Sequence, residues 1–334
     1  MRKTFSNLVI STASVLAFQS PQILFAQNNY FEKCNKFKDP VEFRECITES
    51  QSNNSKNAKS NYDESLNFFK SGDTSKALKE INAYLKNNKN SKEAYFARAV
   101  IYTWDLVENE NALADLDAAI EIDNEYALAY AIRGNIYYWD LGNANKARKD
   151  MDKAVSLSPE DPYVNYVMGS FLLDYAFVLY DKDRKEQALE HAEDSVFNFK
   201  KTIKNLPKDE NLIVKRLFPF GLKYDAYTHL ADAEFELYFG YKDLKKERKL
   251  AKEFLNSAID NYSKAIEFAP PQEEVKDLEI ERDFDLITPA EIYYSRGNAY
   301  SWKSSGWKKA CSDWKVSKKM GNKDAQKWLR EVRC

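Results

Sequence analysis

Arginine and aspartate recur in this chain at one fixed distance. Arg98, Arg133 and Arg296 each precede a small residue, and Asp115, Asp150 and Asp313 each follow their arginine by 17 residues. A guanidinium matches a carboxylate as a two-pronged fork. The spacing therefore predicts three structural ion pairs: Arg98 with Asp115, Arg133 with Asp150, and Arg296 with Asp313. The alternative is a ladder of arginines open to an acidic peptide. Because the aspartate recurs with the arginine, the structural pair is favoured. Trp104, Trp139 and Trp302 also recur, each five residues after that small residue. They either pack each over its own widened turn or form a row that grips a protein or stacks on sugar rings.

Other reactive groups are sparse. Cys34, Cys46, Cys311 and Cys334 allow three disulfide connectivities. Local pairing, 34–46 and 311–334, closes the smallest loops and staples the two ends. The spacings are not those of zinc modules, and His191 and His229 are the only imidazoles. There is no Gly-rich phosphate loop and no serine set between glycines. Asp181-Lys182-Asp183 is too short for a calcium loop. No catalytic set, metal or cofactor is expected. Glu273, Glu274, Asp277, Glu279, Glu281, Asp283 and Asp285 read as a solvated loop or short helix. For an enzyme, two of these acids would have to converge in a pocket with one pKa raised.

The 334 residues are 31% charged and 44% hydrophobic with 9 Gly and 9 Pro, a composition that suits a mostly helical chain. A net charge of −2 gives no ground for nucleic-acid binding. Residues 1–26 look like a secretory leader: Arg2-Lys3, an apolar run from Leu8 to Phe18, and Ala26 before Gln27. No later stretch is apolar enough to span a bilayer. The expectation is an exported protein, periplasmic, secreted or luminal, in which disulfides are permitted.

What positions these side chains is a repeat. Arg98-Ala99 returns as Arg133-Gly134, Tyr102 as Tyr137, Trp104-Asp105-Leu106 as Trp139-Asp140-Leu141, and Ala119-Ile120 as Ala154-Val155, always 35 residues on. A fixed period of this size means stacked helical hairpins. A first, poorer hairpin runs from about Ala58 to Asn90, a fourth from Asp161 to Pro207, and a fifth from Lys223 to Pro270. Asn211 to Gly221 reads as a connector. The sixth starts near Pro289, where Arg296-Gly297-Asn298-Ala299-Tyr300 matches Arg133 to Tyr137. Residues 27–57 form a cysteine-containing segment and linker, 58–321 the repeats, and 322–334 a capping helix with Trp328 and Val332 inward.

Arg133-Gly134-Asn135-Ile136-Tyr137-Tyr138, followed by Leu141-Gly142, Ala147, Ala154 and Pro159, resembles a tetratricopeptide repeat. That unit has 34 residues, with small residues at three places, here Ala99/Gly134, Ala112/Ala147 and Ala119/Ala154. The chain departs from it by one extra residue in the Trp-Asp-Leu turn. The resemblance implies an all-α, right-handed superhelical solenoid of about six hairpins with a C-terminal capping helix. It also implies a non-enzymatic protein-interaction scaffold whose first helices line a concave groove. On that pattern Phe96, Asn135, Tyr138, Tyr166 and Asn298 would contact a protein partner, with Asp232 on the same surface. The lysines of the carboxylate-clamp version are missing at Phe96 and Ala131.

Overall fold

The computed structural model describes residues 46, 62–68, 71–208, 212–282, 287–332 and 334, and every regular element among them is helical. The leader-like stretch 1–26 and Cys34 lie outside the described residues. In chain order, α1 (62–68) pairs with α2 (Thr74–Asn87), α3 (Lys92–Trp104) with α4 (Asn109–Ile122), and α5 (Ala127–Trp139) with α6 (Ala144–Leu157). Then α7 (Pro162–Asp181) pairs with α8 (Lys185–Lys204). The short α9 (Leu212–Leu217) precedes the pair α10 (Leu222–Asp243) and α11 (Arg248–Phe268). After α12 (Gln272–Arg282) come α13 (Pro289–Ser301) and α14 (Trp307–Lys319), and α15 (Lys323–Glu331) closes the array. The first helix of each later hairpin also contacts the hairpin before it. The chain is thus an all-α solenoid.

Small residues allow these close approaches. Ala99, Ala112, Ala119, Ala147, Ala154, Ala231, Ala258, Ala265 and Ala310 are completely buried. At Gly297 a Cβ would lie 2.7 Å from the Trp314 indole, so a larger residue would drive the two helices apart. Between the small positions, Leu116, Ile136, Phe171 and Tyr262 fill the core, each contributing roughly 1.5–3 kcal/mol by leaving water. Side chains of Asp73, Ser91, Asn143, Asp161, Thr288 and Asn322 cap helix starts by accepting first-turn amides.

The turns explain the 35-residue period. In five hairpins the residue two places before the second helix has positive φ: Gly72, Val107, Gly142, Asp183 and Lys246, at 79°, 56°, 61°, 58° and 59°. The next amide then bonds back to the first helix. In the first and fourth hairpins it reaches five residues, Asp73 N to Phe68 O at 3.0 Å and Arg184 N to Leu179 O at 2.9 Å. After Trp-Asp-Leu it reaches six, Glu108 N to Tyr102 O at 2.8 Å and Asn143 N to Tyr137 O at 2.6 Å. The extra residue is absorbed by one wider loop without disturbing the helices.

At the C-terminal end, Cys311 is disulfide-bonded to Cys334. Trp328 stacks on Trp314 at 5.9 Å but leaves its outer face in solvent, so it covers the terminal core rather than entering it. Val332 packs on the same cluster.

Candidate functional site

Each recurrent arginine joins three helices. Arg133 on α5 donates through Nε and Nη2 to both oxygens of Asp150 on α6, at 2.7 and 2.8 Å. Its remaining arm reaches Asp117 on α4, at 2.6 Å. Arg98 forks onto Asp115 at 2.7 and 2.6 Å and reaches back to Asn82 on α2 at 2.5 Å. Arg296 forks onto Asp313 at 2.8 and 2.9 Å and reaches Ser263 on α11 at 3.0 Å. Burial pushes the Asp115 carboxyl up even against its arginine, so desolvation takes back much of the attraction. With all three arms committed, these arginines hold hairpins together and offer little to a ligand.

The tryptophans diverge. Trp104 is half-buried against the first core cluster. Trp139 and Trp302 are 54% and 48% exposed. Trp139 meets Tyr138 edge-on at 79°, and Trp302 meets Phe239 at 88°. With Trp104 half-buried, the three do not present one exposed row for sugar stacking.

Among the expected partner contacts, Phe96 is 2% exposed and packs on Tyr126 at 5.2 Å. It braces the first-helix face from behind and is not available to a partner. α3 is covered on more sides than its amphipathic pattern suggests. Asn298 accepts a bond from Trp314 Nε1 at 3.0 Å, within its own hairpin. Tyr138 lies edge-on to Phe171 at 4.9 Å. Asn135 and Tyr166 line a cleft of about 260 Å3 with Trp104, Leu217, Phe218 and His229. The structure thus brings Asn135 and Tyr166 together and leaves Phe96 and Asn298 elsewhere.

Two features of this face are not evident from the repeat. One is the connector, which doubles back onto the first-helix face. Arg216 donates to Asp105 in the first Trp-Asp-Leu turn at 2.7 and 3.1 Å, across 111 residues of sequence. Leu217 and Phe218 are buried in the cluster that holds Phe96, Ile132 and Tyr163. The other is a set of carboxylates on the face of α7, α10 and α13. Burial pushes Asp174 up to about 7, and its Oδ2 has no hydrogen-bond partner among the described residues. Asp232 is raised by burial although Tyr262 donates to it at 2.6 Å. Burial, with Asp232 beside it, raises Glu236 to about 7. His229 Nδ1 lies 3.3 Å from the Tyr166 hydroxyl, and Asp232, Glu291 and Ser295 line a further cleft of about 430 Å3. Glu273, Glu274 and Asp277 are exposed on α12, outside this set. The rest of the 271–285 acids fall where no side chain is described.

No helix among the described residues is long and apolar enough to cross a membrane, and no metal-type cluster occurs among them. No protein-family model and no curated protein matches the sequence. Solved structures do match. PilF of Pseudomonas aeruginosa is 16% identical with a TM-score of 0.50, covering 83% of this chain and 99% of PilF. The Cut9–Hcn1 hetero-tetramer of the APC/C is 15% identical at 0.51, covering 82% of this chain and 42% of that one. YrrB, described as a TPR protein with an unusual peptide-binding site, is 16% identical at 0.44, covering 75% and 98%. With its recurring small residues buried between paired helices, the chain has a tetratricopeptide-repeat-like fold.

Proposed function

We propose that the chain is a protein-interaction scaffold that receives an extended or helical partner segment across its first-helix face, from Tyr138 on α5 to Ser295 on α13. The observation behind this reading is the polar, carboxylate-bearing character of that face. Asp174, Asp232 and Glu236 are held partly out of water at a cost to the folded chain, and core packing alone does not call for them. The fold preorganises them, so little ordering entropy is lost when a partner docks. The same reading makes the scaffold an exported one; the disulfide at Cys311 suits an oxidising compartment.

The test is photo-crosslinking from single positions in the native cell. A benzophenone residue replaces Tyr138 or Ser295 on the proposed face, or the exposed Lys153 on α6 as control. The same protein should form adducts from both facing positions and not from Lys153. Adducts from Lys153 alone, or unrelated proteins from the two facing positions, would refute the assignment.

A further inference from the structure

The long helices of the fourth and fifth hairpins build a cleft that the regular hairpins lack. α7 and α8 have 20 residues each and α10 has 22, against 13 or 14 in α3 to α6. Between their far ends lies a cleft of about 310 Å3 with Phe177, Tyr180, Lys185, Leu189, Glu236 and Phe239 in its walls. Gly240 lets α10 approach α8, because a Cβ there would collide with Leu189 Cδ1.

Glu236 is the group that this architecture leaves unmatched. Glu234, two residues earlier, accepts from Asn261 at 2.8 Å and has Lys200 Nζ at 3.2 Å. Glu236 has no hydrogen bond or ion pair among the described residues, and its charged neighbour one turn back is another acid, Asp232. The cleft's own lysine already has partners at the cleft's edge: Lys185 Nζ pairs with Asp183 at 3.0 Å and lies 5.6 Å from the Tyr180 ring. A carboxylate taken partly out of water beside aromatic faces is a complement for a cation. The neighbouring rings already hold one, since Lys242 Nζ sits 4.3 Å from the Trp302 ring and 5.8 Å from that of Phe239.

We propose that this cleft takes a lysine or arginine side chain of the partner segment, with Glu236 as its counter-ion and Phe239, Tyr180 and Phe177 as its walls. The inference rests on the scaffold reading above and narrows it to a partner with a basic residue at this point.

The probe is a fluorescein-labelled peptide of alternating glycine and lysine, titrated by anisotropy at low salt against the full chain. A norleucine version keeps the stem and removes the charge. The variants are Glu236→Gln, which preserves shape and removes an unpaired charge, and Glu273→Gln, a change to an exposed acid on α12. Thermal melting checks that both fold. The lysine peptide should bind the full chain and the Glu273→Gln variant alike, and about tenfold more weakly to Glu236→Gln. The norleucine peptide should lose a similar factor. Equal affinity for Glu236→Gln or no binding at all would each overturn the proposal. Crosslinking from Tyr138 and Ser295 reads the scaffold function separately, so a failed titration with intact adducts removes this cleft alone.

Discussion

Asp150 and Asp117 both bind Arg133, and they should differ widely in what they contribute. Asp150 is 8% exposed and receives two arms of the guanidinium; Asp117 is 61% exposed and receives one. Replacing Asp150 by alanine leaves a largely buried guanidinium with only its outer partner. Breaking such a pair from one side costs about 3–5 kcal/mol when both partners are fully buried. With Arg133 17% exposed and Asp117 still in place, about 2–4 kcal/mol is expected here. Asp117→Ala removes a bond at the surface and should cost under about 1 kcal/mol. Replacing Arg133 and Asp150 together by leucine should lie near wild type, because desolvation consumes most of what the fork supplies.

Global unfolding of a solenoid is not all-or-none by necessity, so the assay is native-state hydrogen exchange of α5 and α6 amides. A loss of 2–4 kcal/mol reads as about 30- to 1,000-fold faster exchange. The small effect of Asp117→Ala should shrink further in 1 M salt, where surface charges are screened within about 3 Å. Equal effects of Asp150→Ala and Asp117→Ala would refute the claim that the buried fork within this hairpin, and not the surface arm to the preceding one, carries most of the stability.

Three further outcomes follow from the geometry. Val107 is a β-branched residue at φ 56° where the next repeat has Gly142; Val107→Gly should raise stability by about 0.5–1 kcal/mol in thermal melts. Asp174 has a folded pKa of about 7, above its unfolded value, so its neutral form favours folding below about pH 4 and that contribution is lost as pH rises through 7. Asp174→Asn should therefore melt above the parent chain at pH 8, by on the order of 1–2 kcal/mol after allowing for solvent screening, with the gap closing by about pH 4.5. Arg216→Ala with Phe218→Ala should free the connector, read as faster limited proteolysis between Pro207 and Gly221 while α13 and α14 remain protected.

The repeat is legible in the sequence because helix contact permits few residue types at its closest points; Ala112, Ala147 and Ala310 are completely buried, and the last two face Gly134 and Gly297 at close range. The fork partners share that regularity, since a hairpin of fixed length sets Arg133 opposite Asp150. The third arm is harder to read. Its acceptor changes from Asn82 to Asp117 to Ser263, and α12 doubles the spacing in the last case. Phe96 misleads because helical periodicity marks an apolar face without saying that Tyr126, at the start of α5, will pack over it. The contact of Arg216 with Asp105 joins segments 111 residues apart that share no pattern. Asp174 did carry a signal: it stands alone among Phe171, Leu172, Leu173, Ala176 and Leu179, all buried, and a lone acid in an apolar run is expensive unless something uses it.

The connector and the long helices divide the first-helix face into two regions with different accessibility. Over α3 and α5, Leu217 and Phe218 occupy the position an incoming segment would need, and Arg216 ties them down. A tethered occupant acts at an effective concentration on the order of millimolar, so a partner must displace it before gaining contact there. Over α10 and α13 the clefts at Glu236 and Asp232 have no such occupant among the described residues. A partner segment should therefore engage the C-terminal half first and reach α5 only by competing with the connector. Crosslinks from Ser295 should then persist at partner concentrations too low to give adducts from Tyr138. The Arg216→Ala, Phe218→Ala variant should bring the two thresholds together.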